Sequence, residues 1–134
     1  FIPMIMGTAG NIGTQSLAVA INNLSGNKDE DGKKMLTVVR KEVVGGAIIG
    51  LFLALILVAL SLIIYQNTIL AMIVSVAIFL TTILSSTVGS VIPLLFEEIN
   101  IDPAVASGPF ITTINDIASL LIYFSLAVSF LEHL

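Results

Sequence analysis

Asp102-Pro103-Ala104-Val105-Ala106-Ser107-Gly108-Pro109-Phe110-Ile111-Thr112-Thr113-Ile114-Asn115-Asp116-Ile117-Ala118-Ser119-Leu120-Leu121-Ile122-Tyr123 sets an acid in the middle of a run that is otherwise apolar or small. At helical spacing Gly108, Thr112, Asn115/Asp116, Ser119 and Tyr123 share one stripe, and Phe110, Ile111, Ile114, Ile117, Leu121 and Phe124 occupy the rest. One side of such a helix is polar and the other suits lipid. A carboxylate at the centre of a spanning helix costs roughly 2.5–3.5 kcal/mol on insertion scales, so it faces a bundle interior or a water-filled path and marks a route for ions or protons. Asp116 is therefore the first candidate functional residue.

The rest of the composition agrees with a membrane setting. The 134 residues are 57% hydrophobic and only 10% charged, with a mean hydropathy of +1.10, which excludes an ordinary soluble globule. At about 20 apolar residues per crossing the length suits roughly four to five spans in one all-α integral membrane domain, with no enzyme motif and no basic surface for nucleic acid. Without cysteine there is neither a disulfide framework nor a thiolate metal site, so a bound ion must be a hard one held by oxygen, or one with a histidine ligand. The one histidine, His133, sits at the end of the chain and reads as an exposed terminal residue. Phe1 stands inside an apolar run with no charged flank, which reads as a segment of a longer protein and not as a signal peptide.

Moving outward, hydropathy gives spans at 1–24, 43–64, 69–96 and 109–131, together one domain over 1–134. The first is broken by Pro3, Gly7, Gly10, Asn11, Gly13 and Gln15, and its Gly7, Asn11, Thr14, Ala18 and Asn22 form a small, polar stripe able to border water. All five basic residues, Lys28, Lys33, Lys34, Arg40 and Lys41, fall in the connection that follows, which reads as a loop to Lys34 and a short amphipathic lead-in from Met35 to Glu42. The second span carries a Gly46/Gly50 pair, reinforced by Gly45, that favours close helix approach. In the third, Thr81, Thr82, Ser85, Ser86, Thr87 and Ser90 can bond carbonyls one turn back or cross to a neighbour, and Pro93 removes a backbone donor. Asp102-Pro103 has the form of a capped turn before the last span.

The sequence Pro3-x-x-x-Gly7-x-x-Gly10-Asn11-x-Gly13-x-Gln15-Ser16, followed by Asp102-Pro103-Ala104-x-x-Ser107-x-Pro109-x-x-Thr112-Thr113-x-x-Asp116-x-x-x-Leu120-Leu121-Ile122-Tyr123, resembles the membrane domain of the MgtE family of magnesium channels over essentially the whole chain. The resemblance implies a homodimer with five spanning helices per subunit and a pore at the dimer interface, lined by the second and fifth helices. The four spans here then correspond to the second through fifth. The first helix, the cytoplasmic N domain and the paired regulatory CBS domains lie outside these residues. The resemblance makes Asp116 the pore carboxylate and gives the backbone carbonyl of Thr112 to the same ion. It sets Gly10 and Asn11 beside the pore and Asp102 at its cytoplasmic mouth. At Gly108 some members carry asparagine instead.

Magnesium suits this donor set, because it gives up its octahedral water shell reluctantly and is held by one or two carboxylates with polar groups touching its waters. Two copies would supply two Asp116 carboxylates, with Asn11, Thr14, Thr112 and Asn115 available to first-shell water. Mn2+ or Ca2+ is compatible with the same donors. The alternative function is a proton-coupled secondary transporter of another small substrate, in which Asp116 titrates.

A multi-pass protein of the plasma (inner) membrane is expected, with 25–42 and 97–107 cytoplasmic and 65–68 and residue 134 outside, since the basic connection stays in. Single cysteines at Asn27 and Asn67 should label with a membrane-impermeant reagent from opposite sides. Labelling from the same side contradicts this topology.

Overall fold

The computed structural model describes residues 1–26, 32–105 and 108–130. Those residues form four α-helices, α1 (Ile2–Gly26), α2 (Gly32–Tyr65), α3 (Thr68–Glu98) and α4 (Gly108–Ser129), with a 3-10 turn at Pro103–Val105. Expectations for Asn27–Asp31, Ser107 and Leu131–Leu134, His133 included, lie outside the described residues.

Each boundary has a local cause. Gln66 takes a positive φ of 52° and ends α2, and Asn67 caps α3 by accepting from the N–H groups of Ile69 and Leu70, both at 3.0 Å. At the far end of α3, Asn100 turns the chain with φ 59°. Asp102 Oδ1 then accepts from the Ala104 N–H at 2.9 Å, the capped turn that Asp-Pro predicts. The expectation for α2 needs correction. The lead-in at 35–42 is no separate element, because residues 33–44 contain no Gly or Pro and are rich in good helix formers, so one helix runs from Gly32 to Tyr65.

Among the described residues three helices, α2, α3 and α4, are long and apolar enough to cross a membrane, which makes this a multi-pass membrane protein. The fourth expected span, α1, has 25 residues and so the length, at a rise of about 1.5 Å each. Asn11, Thr14, Gln15, Asn22 and Asn23 keep its composition short of the other three.

Helix α3 is the centre of the bundle and packs against α1, α2 and α4. Two apolar clusters hold the ends. One joins Ile5, Ala54, Leu57, Val74, Ala77 and Ile78 from α1, α2 and α3, and the other sets Leu17 and Ile111 against Val88, Ile92 and Phe96. Between them lies a waist of small residues. A Cβ on Gly46 or Gly50 would run into the Ser86 and Thr82 side chains of α3, so the predicted glycine pair does seat a neighbouring helix. Gly45 meets nothing within 4 Å and adds nothing to that contact. The α3 hydroxyls that find partners bond backward along their own helix, with Thr82 donating to the Phe79 carbonyl at 2.8 Å and Ser86 to that of Ile83 at 2.9 Å.

Between α1 and α3 backbone meets backbone. A Cβ on Gly89 would collide with the carbonyl oxygen, carbonyl carbon and Cα of Gly13, backbone atoms that cannot rotate aside. Gly89→Ala should therefore lower stability by about 1–3 kcal/mol, the usual range for overpacking. Gly45→Ala and Gly7→Ala, in open space, should be neutral or stabilising by up to about 1 kcal/mol through helix propensity. Thermal unfolding in detergent checks the contrast, and equal effects at all three glycines would refute it.

Candidate cation site

The last helix is seated on the first by the same small residues. A Cβ on Gly10 would lie 3.2 Å from Thr112 Cγ2, and one on Gly13 would overlap the Asn115 amide and lie 3.0 Å from Ile111 Cγ2. Gly108, one turn before Thr112, would bring a Cβ to 3.5 Å from Thr14 Cγ2. As numbers rise along α1 they fall along α4, so the two helices run antiparallel with residues 9–14 beside 108–115. The two motifs, about ninety residues apart in sequence, thus meet.

This seam divides the predicted polar stripe of α4. Asn115 and Ser119 are each only 1% exposed and point into the bundle. Asn115 Nδ2 donates to the Ala9 carbonyl at 3.4 Å, and Ser119 Oγ donates to the Asn115 carbonyl at 2.5 Å. Asn115 Oδ1 is buried without a hydrogen-bond partner, as are Thr81 Oγ1 and Ser85 Oγ on α3. Thr112, Asp116 and Tyr123 are half-buried. They lie about 60–100° round α4 from Asn115, beside the fully buried stripe, at 100° per residue. Ile111 departs from expectation. It is not on the lipid side but fully buried, against Gly13 and Leu17 of α1 and the cluster that Val88, Ile92 and Phe96 of α3 complete.

On α1 the stripe falls as read from the sequence. Gly7, Asn11, Ala18 and Asn22 are exposed and Thr14 is half-buried. Gly10 and Thr14 touch α4 from the edge of this stripe, so Asn11 and Asp116 flank one seam on a shared outer surface. The Thr14 hydroxyl donates to the carbonyls of Gly10 at 2.9 Å and Asn11 at 3.0 Å, and that of Thr112 to Pro109 at 3.0 Å. Both hydroxyls are engaged by their own helices, which leaves the Asp116 carboxylate as the charged group of this surface. Asp102 is exposed just before the 3-10 turn, and about 12 Å of α4 runs from Gly108, after that turn, to Asp116.

The sequence reading missed one polar contact altogether. Ser16, 2% exposed on α1, donates through Oγ to Glu42 Oε2 on α2 at 2.7 Å. The signal was present in the spacing, because Glu42, Gly46 and Gly50 are four apart and share the packed face of α2.

The sequence profile of the MgtE family, described as a divalent cation transporter, matches residues 2–126. The chain belongs to the MgtE family. It is 44% identical to the magnesium transporter MgtE of Bacillus subtilis, over all of this chain and 30% of that protein. It is 40% identical to the protein of the same name from Enterococcus faecalis, over 99% of this chain and 29% of the relative. A third, from Thermus thermophilus, is 34% identical over 98% of this chain and 29% of its own length. The chain spans about three tenths of the length of these MgtE relatives.

If Gly13 exists to admit Asn115, the two positions are energetically coupled. Gly13→Ala should destabilise, and Asn115→Ala in that background should recover part of the loss, with a coupling of about 0.5–3 kcal/mol. A double-mutant cycle on detergent unfolding measures it. Strict additivity would contradict the contact.

Proposed function

We propose that this chain is the ion-conducting portion of a magnesium transporter, and that two copies enclose a pore between them along the α1/α4 seam. The observation that carries the reading is that seam. Seating Thr112 on Gly10 and Asn115 on Gly13 turns the α1 stripe and the Asp116 carboxylate to a common outer surface. In a bilayer such a surface cannot face hydrocarbon, because exposed amides and a carboxylate there lack water. A second copy related by a two-fold axis supplies the missing wall and a second carboxylate. The lipid-facing surfaces are elsewhere, on Ile48, Phe52, Leu55 and Ile63 of α2 and on Ile117, Leu121 and Phe124 of α4, all exposed and apolar.

In this reading α1 is the fourth crossing, stable at membrane depth because its polar side borders the pore and its other sides pack on α3 and α4. The paired Asp116 carboxylates carry a charge of −2 that balances one Mg2+. The ion keeps much of its water shell, with Asn11 and the Thr112 carbonyl in reach of those waters. Asp102 at the mouth concentrates cations over a distance that salt screens within roughly 8 Å. Regulatory domains belong to the part of the intact protein beyond these residues, and Mn2+ or Ca2+ competes for the same oxygens.

Asp116→Asn keeps the size of the side chain and removes the charge, so magnesium affinity and flux should fall steeply while the helices remain folded. Asp102→Asn should be intermediate, and Thr112→Ala should do least because its hydroxyl is already donated to Pro109. Mg2+ flux into liposomes, with Mg2+ titration calorimetry, checks the order. Flux at the unsubstituted level in Asp116→Asn would remove the carboxylate from the pathway.

A further inference from the structure

Beside the Glu42–Ser16 contact, between α1 and α2, is a small cavity of about 100 Å3. Its polar wall is Gln15, Ser16 and Glu42, and Gly45, Gly46 and Ile49 of α2 form the other side. Gly45 there leaves open space that a side chain would fill. We infer that Glu42, with Ser16 and Gln15, forms a second divalent-cation site, distinct from Asp116 and set between α1 and α2. The inference rests on reading the chain as a cation conductor.

Glu42 is half-buried, and the hydrogen bond it accepts comes from a neutral hydroxyl, which holds one oxygen in place without neutralising the carboxylate. Its neighbours Lys41 and Arg40 are exposed and lie roughly 100° and 160° round the helix, aimed away from α1. A tether between helices needs no formal charge there, since glutamine would accept the same bond. A cation does need it. Glu42, Ser16 and Gln15 present carboxylate, hydroxyl and amide oxygens, a hard set of the kind magnesium takes. At about 30 Å3 per water the cavity has room for roughly three waters, enough for an ion that keeps part of its shell.

The position gives such a site a role. Ser16 lies six residues beyond Gly10 along α1, so Glu42 sits about 9 Å along the helix axis from the Gly10–Thr112 contact, toward the Lys/Arg-bearing connection. Gln15 is exposed beside the α1 stripe. An ion held at Glu42 therefore stands at the flank of the proposed path and is separate from its centre.

Mg2+-induced infrared difference spectra of the full chain in lipid, with MgCl2 as the sole probe, test this through the carboxylate stretching bands. Two responsive carboxylates are expected. Glu42→Gln, which still accepts from Ser16, should remove one band shift and leave the other, and Asp116→Asn should do the reverse. Ser16→Ala keeps the carboxylate and should raise the Mg2+ midpoint of the Glu42 band about tenfold, the scale for losing a group that orients a metal ligand. A Glu42→Gln spectrum identical to the unsubstituted one, or a Ser16→Ala midpoint unchanged, overturns the inference and leaves the Asp116 reading intact. Loss of the shift in Glu42→Gln with none in Asp116→Asn supports the Glu42 site and removes Asp116 instead.

Discussion

Gly13 is held between two other helices with no room for a side chain. On one side its backbone abuts Gly89 of α3, and on the other the Asn115 amide and Ile111 of α4 occupy the space a Cβ would take. Everything that positions the candidate site follows from this double contact. It fixes the approach of α1 to the central helix, sets the register of α4 against α1, and decides which residues of α4 point inward. A glycine in a helix interior costs about 1 kcal/mol relative to alanine, and α1 carries three within seven residues. In a membrane, where lipid tails are as apolar as leucine, close backbone packing is among the main forces that can offset that cost.

The apolar clusters at either end of the bundle and the small-residue waist have different tasks. The clusters around Ile78 and around Ile111 hold the helices together without specifying rotation, since one apolar side chain replaces another at little cost. The waist specifies rotation, because only one setting of each helix brings glycine opposite a bulky or polar partner. Turning α4 by one residue would carry Asp116 inward to where Asn115 now lies, and would present Asn115 outside. The observed setting keeps the neutral amide inside, bonded to the Ala9 carbonyl, and the carboxylate at the margin beside the exposed α1 stripe. A buried charge without a counter-ion is the more costly of the two arrangements, so the packing and the electrostatics agree.

Much of this was legible in the residues. Hydropathy located the helices to within a few residues, apart from the N-terminal extension of α2, where the absence of any Gly or Pro in 33–44 outweighed the charge. The Gly46/Gly50 spacing correctly announced a helix contact, and Asp102-Pro103 a capped turn. What could not be read was the identity of neighbours. A helical wheel shows that Ile111 and Ile117 are both apolar, but protein and lipid are equally apolar surroundings, so burial of the first and exposure of the second depend on how α1 and α3 pack on α4. The contact of Gly13 with Gly89 joins positions 76 apart, and nothing in either local sequence names the other. Glu42 was hidden for a similar reason. It follows a basic run that reads as solvated, and only the packing of α1 against α2 brings Ser16 to it.

The central claim is that the seam between α1 and α4 holds Asp116 beside the exposed stripe of α1, where a divalent cation binds. A nitroxide at Gly7, which points into open space on that stripe, reports a paramagnetic ion at the carboxylate directly. Titrating the lipid-reconstituted Glu42→Gln chain, which keeps only the Asp116 site, with Mn2+ should broaden the nitroxide spectrum, excess Mg2+ should reverse the broadening, and adding Asp116→Asn should abolish it. Broadening that persists in the Glu42→Gln/Asp116→Asn chain, or its absence from the Glu42→Gln chain, would contradict the account.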